Sequence, residues 1–400
     1  MSPPLAGLLV LDFTTLLPGP LASLMLAEAG AEVVKIERPP IGDEMRAYAP
    51  RWGDDGVNFA LLNRGKQSLA LDLKDPVQRA QLDPLLDRAD VLVEQFRPGV
   101  MDRLDLGWEA LSARNPRLIC CSITGYGQDG PKRDVAGHDL NYIGDTGLLA
   151  VSSGDPAHPT VPPALVADIA AGAYPAFMNI LLALLARGAS GRGSRLDVAM
   201  TDHIFPFLYW AIGAGLATGR FPGNADALTT GGTPRYRLYP AADGRLIAVA
   251  AIEQRFWDRF CALIGLGPAL AEDARDPAAT IAAIGAILGA RPAAAWGAIF
   301  AGQDCCCSVV ATVAEAMADP HFIARGLFAG GVTNAQGARL PALPVPVLPA
   351  FRRPAGDAPA PRLGAHNDPA PVRSTPLRAP PHGTSVRARE PRRGRVPDAS

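Results

Sequence analysis

Residues 7–39 read GLLVLDFTTLLPGPLASLMLAEAGAEVVKIERP. GLLVLDFT is a short apolar run stopped by turn-forming polar residues, the pattern of a strand covered on both faces. Pro18-Gly19-Pro20 opens a helical stretch, LASLMLAEAG, and Gly30 closes it as glycine does just past a helix end. AEVVKIE then reads as a second strand. A strand, helix and strand in roughly 35 residues make one βαβ unit, which predicts a parallel sheet in a doubly wound architecture.

The same alternation continues outward. QSLALDL (67–73), a helical 76–88 and DVLVEQF (90–96) repeat the unit, and PRLICCSITGYG (116–127) adds a further strand. Segment 165–188, rich in alanine and leucine, predicts a long buried helix whose first turn begins near Asp168. RLDVAMTDHIFPFL (195–208) turns from strand to helix. Gly, Asn, Asp, Thr and Pro cluster around 222–236 as a linker. Beyond it, YRLYPAADGRLIAVAAI (236–252) reads as a hairpin followed by alanine-rich helices, a smaller α+β unit.

Composition narrows the function classes. With 400 residues, 48% hydrophobic and 19% charged, the chain is globular and long enough for more than one domain. A formal charge of −1 supplies no field that would draw nucleic acid. No apolar run has the length of a membrane span, and MSPPLAGLLVLDF lacks a basic leader region. The chain ends in Asp-Ala-Ser, which is not a peroxisomal address. A cytoplasmic protein without a membrane or nucleic-acid partner is expected. Five of the six cysteines are contiguous, at Cys120-Cys121 and Cys305-Cys306-Cys307, without the spacing of zinc or dithiol sites. Reduced thiols and no metal are expected. Residues 351–400 hold ten prolines and ten arginines against four acidic residues, without hydrophobic periodicity.

Three places carry residues suited to proton transfer. Gly137-His138-Asp139-Leu140-Asn141-Tyr142 offers an imidazole beside a carboxylate. Asp168 stands isolated in PPALVADIAAGAYP, and Glu253 follows the strand pattern AVAAI. Moving a proton at a carbon acid needs a base on one face and an acid on the other, tuned to matching strengths. Taken singly, His138 reads as a structural or surface histidine. Asp168 reads as a helix cap or a functional group, and Glu253 as a solvated strand end.

Seven segments in order change that reading. They are the 7–39 stretch, NRGKQSLALDLK, VLVEQFRPGVMDRLDLGWEAL, PRLICCSITGYGQDGP, GHDLNY, TGGTPRYRLYPAADGRLIAVAAIEQRF and ADPHFIARGLF. Together, over residues 5–350, they resemble the α-methylacyl-CoA racemase branch of the family III CoA-transferase (CaiB/BaiF-like) superfamily. The resemblance implies a Rossmann-like doubly wound α/β large domain, a smaller α+β domain and an interlocked homodimer. Its division would be a large CoA-binding domain over 1–222, a small domain over 223–328 and a return segment over 329–353, while composition predicts a disordered Pro/Arg-rich tail over 354–400.

The implied activity is epimerisation of 2-methylacyl-CoA thioesters through an enolate, with no cofactor beyond the CoA of the substrate. His138 and Asp168 would be the two bases, with Glu253 of a second copy orienting the histidine. The helix start at Asp168 would aim backbone N–H groups at the enolate oxygen. CoA would be held by Arg38, by Leu71, Asp72, Leu73 and Lys74, by Ala89, Asp90 and Val91, by Arg97, and by Gly137, Asp139, Leu140, Asn141 and Tyr142. Ala164, Ile169, Ala171, Arg235 and Arg237 depart from residues common in the family. Two other readings use the same residues. One is a CoA-transferase in which Asp168 attacks the thioester; the other is a CoA-binding homologue with impaired catalysis.

Overall fold

The structure is a computed structural model that describes residues 2–152, 154–155 and 158–367. The large domain is built on six strands. Strand β1 is Leu9–Asp12, followed by helix α1 (Pro18–Glu28) and β2 (Glu32–Glu37). Helix α2 (Val57–Asn63) leads into β3 (Gln67–Ala70), and β4 (Val91–Glu94) and β5 (Ile119–Thr124) follow. After them come α3 (Asp139–Asp145), the long α4 (Val166–Ser190) and β6 (Arg195–Ala199). All pairings are parallel, in the order β3-β2-β1-β4-β5-β6. The chain winds outward from β1 to β3, returns to the centre at β4, and winds outward again. That reversal between β1 and β4 is where doubly wound sheets open a crevice at their strand C-termini.

Both faces of the sheet are covered. Val10, Val33, Val91 and Ile123 pack on one side with α1 and α4. Leu9, Leu11, Val34, Ile36 and Leu92 pack on the other with Leu82, Leu86 and Leu111. This double burial is why the strands read as unbroken apolar runs rather than alternating ones.

Charge is also buried inside the crevice. Asp12 accepts from Thr14 and Ser23, and Lys66 Nζ reaches it at 3.1 Å. Lys66 also donates to Pro20 O, Ser23 Oγ and Asn63 Oδ1. Lys35 donates to Thr14 O and pairs with Asp43 at 3.0 Å. Burial alone would raise the Asp12 carboxyl, but Lys35 and Lys66 hold it well below the carboxylate range. Burial lowers Lys66 to about 8 despite Asp12. Every charged member has a partner, the condition under which such a network is tolerated.

The small domain is an antiparallel sheet of β7 (Tyr236–Pro240), β8 (Leu246–Ala250) and a third strand from further along the chain. Helices α5 (Gln254–Ile264), α6 (Pro277–Leu288) and α7 (Ala293–Phe300) precede that strand, β9 (Cys307–Val309). They enclose a separate core around Trp257, Phe260, Ile284 and Trp296. The chain then returns as β10 (Gly331–Thr333), β11 (Arg339–Pro341) and β12 (Asp357–Pro359). Val345 and Val347 re-enter the large-domain core, and Arg353 N donates to Glu28 O at the end of α1.

Two expectations need correction. Backbone packed on the fold runs past residue 354: β12 pairs in parallel with β10, and residues 364–367 dock along β3. There Ser68 N donates to His366 Nδ1 and Ala70 N to Asn367 Oδ1. Hydrogen bonds rather than apolar residues anchor this stretch, so hydrophobic periodicity could not reveal it. The rest of the expected tail, 368–400, lies outside the described residues. The second correction concerns α4, which is buried on one face only. Met178, Leu182 and Leu185 are 54%, 60% and 73% exposed along a single stripe.

Candidate active site

Beyond β5 the chain crosses to α3 through a loop pinned by Tyr142. Its hydroxyl donates to Gly137 O at 2.5 Å, and its ring meets Tyr126 edge-on at 5.3 Å. A Cβ at Gly125 or Gly137 would lie 2.4 or 2.7 Å from that ring, so neither position admits a side chain without a shift. His138 sits at the N-cap of α3. Its carbonyl accepts from Asn141 N and Tyr142 N, its N–H donates to Asn141 Oδ1, and its ring is exposed.

Asp139, 5% exposed, turns away from solvent toward the start of α4. Its carboxylate accepts from Asp168 N at 2.9 Å, and the N–H groups of Ala167 and Val166 point at it too. The first turn of α4 is therefore clamped beside α3, which brings Asp168 up to His138. A five-residue π turn, Ile169–Ala173, follows directly. Ala171, buried in that turn, keeps its carbonyl 3.2 Å from His203 Nδ1.

The electrostatics suit a base. Burial pushes Asp168 up, the charge of Asp139 adds to this, and His138 opposes it, leaving the carboxyl at about 6. A carboxylate poised so close to neutrality can both take and return a proton.

One expectation is overturned here. The N–H groups at the start of α4 are occupied by Asp139, so they cannot face an enolate. The N–H groups of Asp139 and Leu140, the first two of α3, find no acceptor among the described residues.

The proposed CoA residues divide by position. Arg38 follows β2, Leu71–Lys74 follow β3 and Arg97 follows β4, all on the C-terminal rim of the sheet. Arg38 and Arg97 are exposed, while the Leu71 side chain is core, leaving its backbone for the rim. Asp139 and Tyr142 are turned inward, whereas Leu140 is 43% exposed.

Ala89, Asp90 and Val91 lie at the opposite end of the sheet, and this assignment is corrected. Asp90 accepts from Leu9 N and pairs with Arg187 at 2.8 Å, while Ala89 and Val91 are core. The residues that do reach the rim from β4 are Gln95 and Phe96. Gln95 donates to Thr15 O at 2.6 Å and accepts from Gly19 N. The parallel direction of β4 was the signal for them: ligand residues follow such a strand rather than precede it.

Glu253 is exposed at the N-cap of α5, with its carbonyl accepting from Phe256 N and Trp257 N. No hydrogen bond or ion pair joins it to His138 or Asp168 among the described residues. Arg235, read from sequence as a departure, is an anchored part of the small domain, pairing with Asp273 at 2.7 Å.

The doubly wound sheet thus carries an imidazole and a carboxylate at the junction of two clamped helices. Residues 5–367 match CoA-transferase family III, and the chain belongs to that family. It is 34% identical over 383 residues to the α-methylacyl-CoA racemase of Homo sapiens, covering 91% of each chain. It is 35% identical over 341 residues to the acetyl-CoA:oxalate CoA-transferase of Acetobacter aceti, covering 82% of this chain and 87% of the other. A CaiB/BaiF family protein from Brucella suis superposes with a TM-score of 0.77 at 30% identity, over 92% of this chain and 98% of that one.

Proposed function

We propose that this protein epimerises 2-methylacyl-CoA thioesters by 1,1-proton transfer, with His138 and Asp168 as the two bases. The observation that carries the reading is the pairing itself: Asp139 holds the Asp168 turn against the His138 cap, and Asp168 rests at about 6. One base removes the α-proton and electrons move onto the thioester oxygen. The conjugate acid of the other base returns a proton to the opposite face. The N–H groups of Asp139 and Leu140 receive the enolate oxygen, a contribution of about 10²–10³ in rate per donor in other enzymes.

Glu253 enters from a second copy in an interlocked homodimer and steadies the His138 imidazolium. The exposed His138 and the bare apolar stripe on α4 support this, because neither is covered by the described residues of one chain. Arg38, Lys74 and Arg97 on the strand rim suit the phosphates of CoA.

The second reading is CoA transfer, favoured by the similarity to the Acetobacter aceti transferase. Asp168 would then attack the thioester, giving a mixed anhydride and CoA thiolate; the thiolate would attack the Asp168 carbonyl and expel the first acid, and the second acid would take CoA by the same two steps in reverse. The two are separated by incubating the protein with (2R)- or (2S)-2-methylacyl-CoA in D₂O. Deuterium entry at C2 with loss of configuration, abolished by His138→Ala and by Asp168→Ala, is expected. CoA movement to an added carboxylate that survives His138→Ala but not Asp168→Ala would make the protein a transferase. CoA binding with neither reaction would leave a binding homologue.

A further inference from the structure

We propose that Arg235 is the positioning residue for Glu253, an inference that rests on the proton-transfer reading above. Its guanidinium donates through Nε and Nη2 to both oxygens of Asp273, at 2.9 and 2.7 Å. The remaining donors go to either side of Glu253. Nη1 donates to Ile252 O at 3.2 Å, and Nη2 to Gln254 Oε1 at 2.9 Å. The guanidinium carbon also lies 4.9 Å from the ring centroid of Trp257, which is fully buried and anchored through Nε1 to Ala271 O.

One cation thus ties the Ile252 carbonyl before Glu253, and the Gln254 side-chain amide after it, to the small-domain core. The Glu253 side chain makes no hydrogen bond or ion pair among the described residues, so its direction follows from its backbone. That backbone is held by the two N–H groups donated to its carbonyl and by the bond from Arg235 to Ile252 O, while the Gln254 side chain rests on the same guanidinium. A lysine could keep the pair with Asp273. It could not fork across residues 252 and 254 while lying over the indole, because an ammonium is a point charge and a guanidinium a planar fork.

The geometry separates positioning from simple stability. Losing Arg235 lets the 252–254 turn rotate, which moves Glu253 relative to the His138 it serves while leaving CoA contacts alone. The test uses the full chain and the D₂O exchange reaction across pH, comparing Arg235→Met, Arg235→Lys and Glu253→Gln. Arg235→Met is expected to lower kcat by roughly 10- to 100-fold, the range for a displaced catalytic group. KM should change by less than about twofold.

Arg235→Met should also shift the same limb of the pH profile, in the same direction, as Glu253→Gln. The double variant should be no slower than Glu253→Gln alone, since the two act through one group. Arg235→Lys, which retains the Asp273 pair, should fold normally and show a smaller loss of the same kind. It keeps the test open if Arg235→Met does not fold. Losses that multiply in the double variant, or lowered melting with an unchanged pH profile, would overturn the inference. An unchanged profile in Glu253→Gln would remove Glu253 from the reaction, and the positioning role with it.

Discussion

Asp168→Asn is expected to stabilise the protein at neutral and alkaline pH while crippling its chemistry. In the folded chain the Asp168 carboxyl is raised from its ordinary 3.8 to about 6, first by burial and then by Asp139. The folded state therefore holds this proton more tightly than the unfolded chain does. Stability contributed by the protonated group is complete below about 4, the unfolded value, and is lost as pH rises through about 6. Roughly two pKa units at 1.36 kcal/mol each make the ionised carboxylate cost the fold about 3 kcal/mol near pH 8. Asparagine has nearly the same shape, leaves the Asp168 N–H on Asp139 and carries no charge to repel it. Thermal melting of both proteins at pH 4 and pH 8 measures the difference. The variant should melt a few degrees higher at pH 8 and level with the parent at pH 4. Equal stability at pH 8, or a gain of the same size at both pH values, would refute the strain assigned to this carboxylate.

Two further outcomes follow from neighbouring contacts. Asp139→Asn removes the charge that helps raise Asp168, so the acid limb of α-proton exchange should move down by roughly one unit; a limb that stays in place in a pH–rate profile would contradict the coupling. Lys66→Met leaves Asp12 buried without its direct partner and should cost about 3–5 kcal/mol in urea unfolding, whereas a change under about 1 kcal/mol would show that Lys35 alone suffices.

Much of the large domain was legible because its strands are covered on both faces and so stand out as apolar runs between glycines and prolines. The βαβ reading of 7–39 needed nothing else. The docking of residues 364–367 was not legible, since His366 and Asn367 hold β3 through polar atoms and leave no periodic trace. The misplacement of Ala89–Val91 has a related cause. Periodicity locates a strand, but only its direction within the sheet says which end meets ligand.

At the site, His138 and Asp168 acquired roles through resemblance, not pattern. Asp139 was read from sequence as a CoA contact; its clamping role could not be, because it acts on an N–H group 29 residues further along the chain. Arg235 likewise looked like an intrusion until the contacts on both sides of Glu253 were visible.

The opening of α1 has a consequence for how this scaffold can change its ligand. In many doubly wound proteins the first helix presents free N–H groups to a phosphate. Here Pro18 and Pro20 have none to give, Gly19 N is taken by Gln95, and Leu21 N by Leu17 O. Beneath that turn, Asp12, Lys35 and Lys66 lock the crevice with charge. The centre of the sheet is thus a fixed hub. On the proposed CoA reading recognition falls to the loops around its rim, and new acyl or nucleotide preferences would arise by exchanging single rim side chains such as Arg38 or Arg97 without disturbing that hub.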